Sequence, residues 1–383
     1  MSERIRVLVV DDSALMRKLI PAILARDSSI EVVGTAMDGA FALKKIEELS
    51  PDVVTLDLEM PRMDGMETLR LIMRRAPIPV ILFSTHSKEG AYSTFKALAM
   101  GAVDFVAKPK DAAAGNLDAI ADQLIAKIKV AKRAAGRKLP PAVVYESECG
   151  IKKSTRVAIP PNRIIAIGIS TGGPNALQFV LSQIPADFPA SILIVQHMPE
   201  GFTEMFARRL DECCALDVHE ARSGDMLVAG RVLICPGNRH IMVRRMPRGD
   251  TAVLSDGPPV NGHRPSADVL FHSVAQQFGL TVVGVLMTGM GEDGAEGLGA
   301  IKAAGGMTIA QSEDSCVVSG MPRAAIVKGY ANKVVPLDDM GAFLVKHYGN
   351  ERAAPDKSDK HEKIEQQEKN EKLERTSVSS HRT

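Results

Sequence analysis

A chain of 383 residues, 45% hydrophobic and 24% charged, is long enough for two globular domains at roughly 100–200 residues each. Its formal charge of +1 gives no overall pull toward nucleic acid or an anionic membrane, and 31 glycines without a repeat exclude a collagen-like chain. Five cysteines (Cys149, Cys213, Cys214, Cys235, Cys316) are odd in number and contain no C-x-x-C, which fits reduced thiols in a cytosol rather than a disulfide framework.

The first part of the chain alternates short apolar runs with helical-period stretches. Strands are predicted at Val7–Asp11, Val32–Ala36, Val53–Asp57, Val80–Ser84 and Asp104–Lys108. Helices are predicted at Ser13–Arg26, Ala40–Leu49, Met66–Arg75, Lys88–Met100 and Leu117–Ala131. Continuous apolar strands with helical crossovers imply a five-stranded, doubly wound parallel sheet whose ligands bind beyond the carboxyl ends of the strands. Between Lys127 and Arg156 nine basic residues face two acids around Pro140-Pro141, which reads as a linker, either merely solvated or docking an acidic partner.

A second α/β pattern begins at Arg163. Ile164–Ser170, Ile192–His197 and Thr281–Thr288 read as strands, and Ala176–Gln183, Thr203–Glu212, Ala267–Gln277 and Ala295–Ala304 as helices. Met226–Pro236 and His240–Leu254 look like hairpin material, and Met307–Gln311 and Asn332–Pro336 like short strands. The expected domains are therefore 4–125, a linker at 126–160, a Rossmann-like α/β domain with antiparallel additions at 161–348, and a tail at 349–383. The tail carries seven acids and six bases between Asp356 and Arg375 and little to bury. The N-terminus reaches Asp11-Asp12 after four apolar residues, too few for a signal-peptide core, and the longest uncharged stretch is broken by Gly172-Gly173-Pro174. A cytoplasmic protein without membrane insertion is expected.

Two residue sets carry chemistry. Asp11 and Asp12 end the first predicted strand, Asp57 the third, Ser84 the fourth and Lys108 the fifth, so a parallel sheet brings them to one edge. Clustered carboxylates repel unless a cation sits among them, and an all-oxygen set with open positions suits Mg²⁺ and a phosphate. An aspartate there can act as a nucleophile toward a phosphoryl donor. In the second half, Gly168-Ile169-Ser170-Thr171-Gly172 satisfies G-x-S-x-G between a strand and a helix, and the Thr171 amide is placed to donate to an oxyanion. His197 ends the next strand as a candidate base, with His240 and His263 as alternatives. Asp293, in the glycine-rich loop TGMGEDG, is a candidate for orienting the imidazole.

VVDDSALMRK, LDLEMPRMDG, LFST and FVAKP resemble a response-regulator receiver domain. IGISTGGP, VQHMP, CPGNRH and LMTGMGEDGA, in receiver–linker–esterase order, resemble the chemotaxis protein-glutamate methylesterase family, CheB. The first resemblance implies Asp57 as phosphoacceptor, with Mg²⁺ held by Asp12, Asp57 and the Glu59 carbonyl and by Asp11 at least through water. It also implies Ser84 and Lys108 as switch residues and Phe105 as an aromatic rotamer switch. The second implies Ser170 as nucleophile, His197 as base, Asp293 as its orienter, the Met290 region as a contributor to the oxyanion site, and no cofactor for hydrolysis. Glu292, where the family often has Asn, departs from the pattern. Together they imply phosphorylation-activated hydrolysis of glutamate methyl esters, and deamidation of glutamines, on methyl-accepting chemotaxis receptors. A chemotaxis histidine kinase would be the phosphodonor, with no nucleic-acid partner. The rival reading is a phosphorylation-controlled binding module without hydrolysis; a DNA-binding regulator is disfavoured because no compact basic helix-turn-helix pattern follows.

Overall fold

The computed structural model describes residues 4–85, 87–108, 117–134 and 159–349. The N-terminal half runs β1 (Ile5–Val10), α1 (Met16–Leu24), β2 (Ile30–Ala36), α2 (Gly39–Leu49), β3 (Val53–Asp57), α3 (Gly65–Arg75), β4 (Val80–Ser84), α4 (Lys88–Ala99), β5 (Asp104–Ala107) and α5 (Leu117–Ala134). Its five strands lie in the order β2-β1-β3-β4-β5, all parallel. Val7, Leu8, Val53, Val54, Ile81 and Leu82 are fully buried, as a sheet covered by helices on both faces requires. The winding reverses between β1 and β3, so a crevice opens there at the strand ends. Asp38, Asp64 and Ser87 cap α2, α3 and α4 by accepting from amides of the first turn.

The second half continues β6 (Arg163–Ile169), α6 (Gly173–Leu181), β7 (Ala190–Gln196), α7 (Phe202–Cys213), β8 (Asp217–Glu220), β9 (Arg231–Ile234), β10 (His240–Arg244), β11 (Thr251–Ser255), α8 (Ala267–Phe278), β12 (Val282–Leu286), α9 (Ala295–Ala303), β13 (Met307–Gln311), α10 (Gly320–Val327), β14 (Lys333–Val335) and α11 (Leu337–Tyr348). Seven parallel strands form the order β14-β13-β12-β6-β7-β9-β8, while β10 and β11 make a separate antiparallel hairpin. Here the winding reverses between β6 and β12, again where a site belongs.

Two expectations need correction. Met226–Pro236 is not hairpin material: its core is β9, a buried parallel strand between β7 and β8 in the main sheet. The glycine and proline signals at Gly230 and Pro236 bound a crossover there, not a turn between paired strands. The edge strand β8 and the helices α10 and α11 are additional to the expected elements. The linker does not begin at 126, because α5 runs on to Ala134 with Ile128 and Ala131 fully buried in the N-terminal core. Lys127, Lys129 and Lys132 stand on that helix and pair with Asp104, Asp27 and Asp52. Three of the nine basic residues thus find their acids within the same domain. The rest of the linker beyond 134 up to 158, and the tail from 350, lie outside the described residues.

The two halves touch through aromatic rings. Phe95 of α4 stacks on Phe206 of α7 with centroids 5.2 Å apart, and Phe105 of β5 lies 4.7 Å from Phe202. Asn175 Nδ2 of α6 donates to the Leu98 carbonyl at 2.9 Å.

Candidate active site and phosphoacceptor pocket

At the carboxyl ends of β1 and β3, Asp11 and Asp57 are both buried, and Asp12 is exposed at the rim. Asp12 caps no helix, since α1 starts only at Met16. One carboxylate oxygen from each of Asp11, Asp12 and Asp57 lies within 4.8 Å of the others. Lys108 Nζ reaches across from the end of β5, 2.6 Å from Asp57 Oδ2 and 3.2 Å from Asp11 Oδ2. The second contact is an ion pair without hydrogen-bond geometry, so Asp11 Oδ2 is buried with no hydrogen-bond partner. Three carboxylates against one ammonium, with an orphaned oxygen among them, fit a hard divalent cation that accepts oxygen ligands and keeps open positions. Asp12, Asp57 and the Glu59 carbonyl are the residues that would hold it, and Asp11 the one that would act through water.

Burial raises the Asp57 carboxyl to about 6 against the pull of Lys108, and burial also raises Asp11. The fold therefore binds protons at Asp57 that the unfolded chain releases, and it loses stability as the pH rises from about 4 through about 6. A cation that binds only the ionised cluster reverses this. Millimolar Mg²⁺ should raise the thermal midpoint by a few degrees at about pH 7.5 and much less at about pH 4.5. Differential scanning calorimetry at the two pH values checks this; equal shifts at both would remove the carboxylate cluster as the binding site.

Ser84 ends β4 as expected, but its hydroxyl donates to the Gly90 carbonyl at 3.2 Å and accepts from Thr94 Oγ1 at 2.6 Å. It is turned toward α4 rather than bonded to Asp57. Phe105 is buried, its ring lying between Phe95 and Phe202, with Lys127 Nζ 5.3 Å from its centroid.

The second site is assembled at the β6/β12 switch point. Ser170 follows β6, and its amide donates to the Thr288 carbonyl beyond β12 at 2.9 Å. Two glycines make this approach possible. Gly172 has φ +77° with Val317 pressed against the space a side chain would need, and a Cβ at Gly289 would lie 2.8 Å from Ser170 Cβ. His197 follows β7, and its amide donates to the Ile169 carbonyl at 3.1 Å. Its ring Nε2 is hydrogen-bonded to Asp293 Oδ2 at 2.8 Å, leaving Nδ1 buried and unpartnered. Ser170, Thr171, His197, His263, Arg264 and Met290 line one cavity of about 270 Å³. Neither the Thr171 nor the Met290 amide is bonded to a backbone carbonyl among the described residues.

Burial would raise Asp293, yet the His197 hydrogen bond and charge, the Ser266 hydroxyl and the Ala267 amide hold it down at about 2. It is an anion at any working pH. The open choice among histidines narrows on contacts. His240 is buried, with Nε2 on the Pro258 carbonyl at 3.0 Å and Nδ1 accepting from the Ser266 amide at 3.2 Å, so both nitrogens are engaged. His263 stacks face to face on His197, with centroids 4.0 Å apart and planes 9° from parallel. Burial and the neighbouring His197 push it down to about 4, so it stays neutral and shields the His197 ring from water. Glu292 points outward to Lys328, at 3.1 Å, and leaves Asp293 undisturbed.

Residue patterns do not mark three contributors. Gln123 and Lys127 of α5, from the other half of the chain, complete the lining of the cavity. Ser266 bonds Asp293, although its place before the apolar period of α8 is an N-cap signal.

Residues 165–344 match the CheB methylesterase family model, and residues 7–117 match the response regulator receiver domain model. The protein-glutamate methylesterase/protein-glutamine glutaminase 2 of Koribacter versatilis is 62% identical over 357 residues, covering 91% of this chain and 98% of that protein. This chain belongs to the CheB methylesterase family. The family's protein-glutamate methylesterase/protein-glutamine glutaminase from Pyrococcus horikoshii is 44% identical over 90% of this chain and 94% of its own length. The crystal structure of the Thermotoga maritima CheB methylesterase catalytic domain is 37% identical, covering 49% of this chain and 98% of that one, with a TM-score of 0.48. Among the described residues no helix is long and apolar enough to cross a membrane.

Proposed function

We propose that this chain is a phosphorylation-activated protein-glutamate methylesterase and protein-glutamine glutaminase. It acts in the cytoplasm on methyl-accepting chemotaxis receptors and is phosphorylated by a chemotaxis histidine kinase. Residues 4–134, to the end of α5, are its receiver, and residues 161–348 its hydrolase. The carrying observation is His197, hydrogen-bonded through Nε2 to buried Asp293 and with Nδ1 unpartnered, in one cavity with Ser170 and with α5 of the receiver.

Asp293 accepts the Nε2 proton of His197, fixing the tautomer in which Nδ1 is the base. Ser170 Oγ attacks the γ-carbonyl of the glutamate ester as Nδ1 takes its proton. The Thr171 amide and the Met290 segment receive the oxyanion. Collapse of the tetrahedral adduct breaks the carbonyl–methoxy bond, and methanol leaves with the proton from His197. Water, deprotonated by the same nitrogen, then cleaves the acyl-serine bond to give glutamate and restore Ser170. A glutamine side chain follows the same course and loses ammonia.

In the receiver, Mg²⁺ would neutralise the carboxylates and orient a phosphoryl group. An Asp57 oxygen attacks the phosphorus of the kinase's phosphohistidine as the P–N bond breaks and the kinase imidazole leaves with the bonding electrons, and Lys108 compensates the charge added at Asp57. Ser84 would exchange its contacts with Gly90 and Thr94 for the phosphoryl oxygens, drawing α4 and Phe105 into a new arrangement. Because Gln123 and Lys127 line the hydrolytic cavity, and Phe95 and Phe105 pack on α7, that rearrangement uncovers Ser170.

Methanol release from methylated receptor membranes, with and without a small phosphodonor, tests the function. Phosphodonor should raise the rate, and no methanol under either condition would favour a binding module. A chain lacking residues 1–140 should release methanol faster than the unphosphorylated full-length protein and ignore the phosphodonor. A truncated protein slower than full length would argue for activation by contact between the domains.

A further inference from the structure

Ser266 occupies the N-cap position of α8, yet its side chain makes no cap bond. The helix start is capped by a carboxylate from another loop. Asp293 Oδ2 accepts from the Ala267 amide at 2.7 Å, and Asp293 Oδ1 lies 3.3 Å from the Asp268 amide. The Ser266 hydroxyl, freed from capping, donates to Asp293 Oδ1 at 2.6 Å. Its backbone amide donates to Nδ1 of His240, whose Nε2 is held by the Pro258 carbonyl. Ser266 is fully buried and His240 nearly so, so no water competes for these bonds.

We propose that Ser266 is a positioning residue of the hydrolytic site, anchored by His240 and setting how strongly Asp293 holds the imidazolium of His197. The inference rests on the Ser170–His197–Asp293 reading and deepens it. A hydroxyl donated at short range to a buried carboxylate disperses its charge and fixes its plane. With two donors on Oδ1 and two on Oδ2, the carboxylate cannot rotate away from His197. Without the hydroxyl, Asp293 concentrates more charge on the oxygen facing His197. The imidazolium formed as Ser170 gives up its proton is then held more tightly. The other titratable or charged groups facing this chain of contacts are His263 stacked on His197, Asp268 on α8, and Arg264 and Lys127 at the cavity. None of them is hydrogen-bonded to the Ser266 hydroxyl, which donates to Asp293.

The test uses the full-length chain and its basal hydrolysis of methylated receptor membranes, followed as kcat and KM against pH, with folding checked by thermal unfolding. Ser266→Ala should lower kcat about tenfold, leave KM within about twofold, and move the acid limb of kcat/KM upward by about half a pH unit. Ser266→Thr, which keeps a hydroxyl, should restore both. If the alanine variant does not fold, Ser266→Cys, a close fit with a weak donor, is read by the same criteria. A folded variant without the hydroxyl whose acid limb and kcat match the wild type would overturn the proposal. Asp293→Asn, measured alongside, separates the two readings. If it is crippled while the Ser266 variant is normal, only the Ser266 role falls; if it is itself fully active, the triad falls and this role with it.

Discussion

Replacing Ser170 by alanine is expected to lower methyl-ester hydrolysis by roughly 10⁴-fold or more, because the acyl-enzyme route through Ser170 is lost. His197→Ala should be nearly as severe, since the two groups act as one unit. Asp293→Asn should cost about 10²–10⁴-fold through the wrong imidazole tautomer and the loss of an anion beside the imidazolium. Ser170 is half-buried in the wall of the cleft, and its side chain makes no hydrogen bond among the described residues, so folding should be spared. Single-turnover assays on methylated receptor membranes, with circular dichroism as the fold check, decide it. A folded Ser170→Ala protein that releases methanol near the wild-type rate would falsify the nucleophile assignment.

Asp57→Asn should abolish Mg²⁺-dependent labelling by a small phosphodonor, because an amide is a poor nucleophile, and with it the phosphodonor-driven rise in hydrolysis. Its effect on stability has a definite sign. Asp57 is buried and carries a carboxyl held up near 6, so at neutral pH the wild-type fold bears a poorly solvated anion beside Asp11. The neutral amide removes that repulsion, and in the absence of a cation the variant should unfold at a temperature equal to or above that of the wild type. Acid-labile phosphate incorporated into Asp57→Asn at the wild-type level would take the phosphoacceptor role from this residue.

The acid pocket is legible in the sequence because each of its members ends an apolar run. A parallel sheet brings such ends together whatever the details of packing, and β3 and β4 fall within the residues expected. Ser170 and Asp293 are legible for the same reason, flanked by the glycines their tight turns need. The base was not settled by pattern. His197, His240 and His263 all lie near strand ends or loops, and which ring nitrogen is free depends on contacts from Pro258, Ser266 and Asp293 far along the chain. The turn of the Ser84 hydroxyl toward Thr94 is a rotamer choice, which spacing does not encode. β9 escapes the pattern because RVLI, an arginine and three apolar residues between glycine and proline signals, reads alike as a hairpin arm and as a buried parallel strand. The lysines of α5 look like linker charge until the helix places them beside Asp27, Asp52 and Asp104.

The placement of α5 has a thermodynamic corollary. One helix contributes Ile128 and Ala131 to the receiver core and Gln123 and Lys127 to the wall of the hydrolytic cavity. A change at Asp57 that moves it out of the cavity raises the affinity of that cavity for substrate by some factor. Linkage then requires that a bound receptor segment, by holding α5 out, raise the receiver's affinity for the phosphoryl group by the same factor. On the proposed activation, the phosphorylated form would therefore be favoured at equilibrium while the protein is seated on its substrate, so phosphate would be held preferentially on molecules already positioned to act.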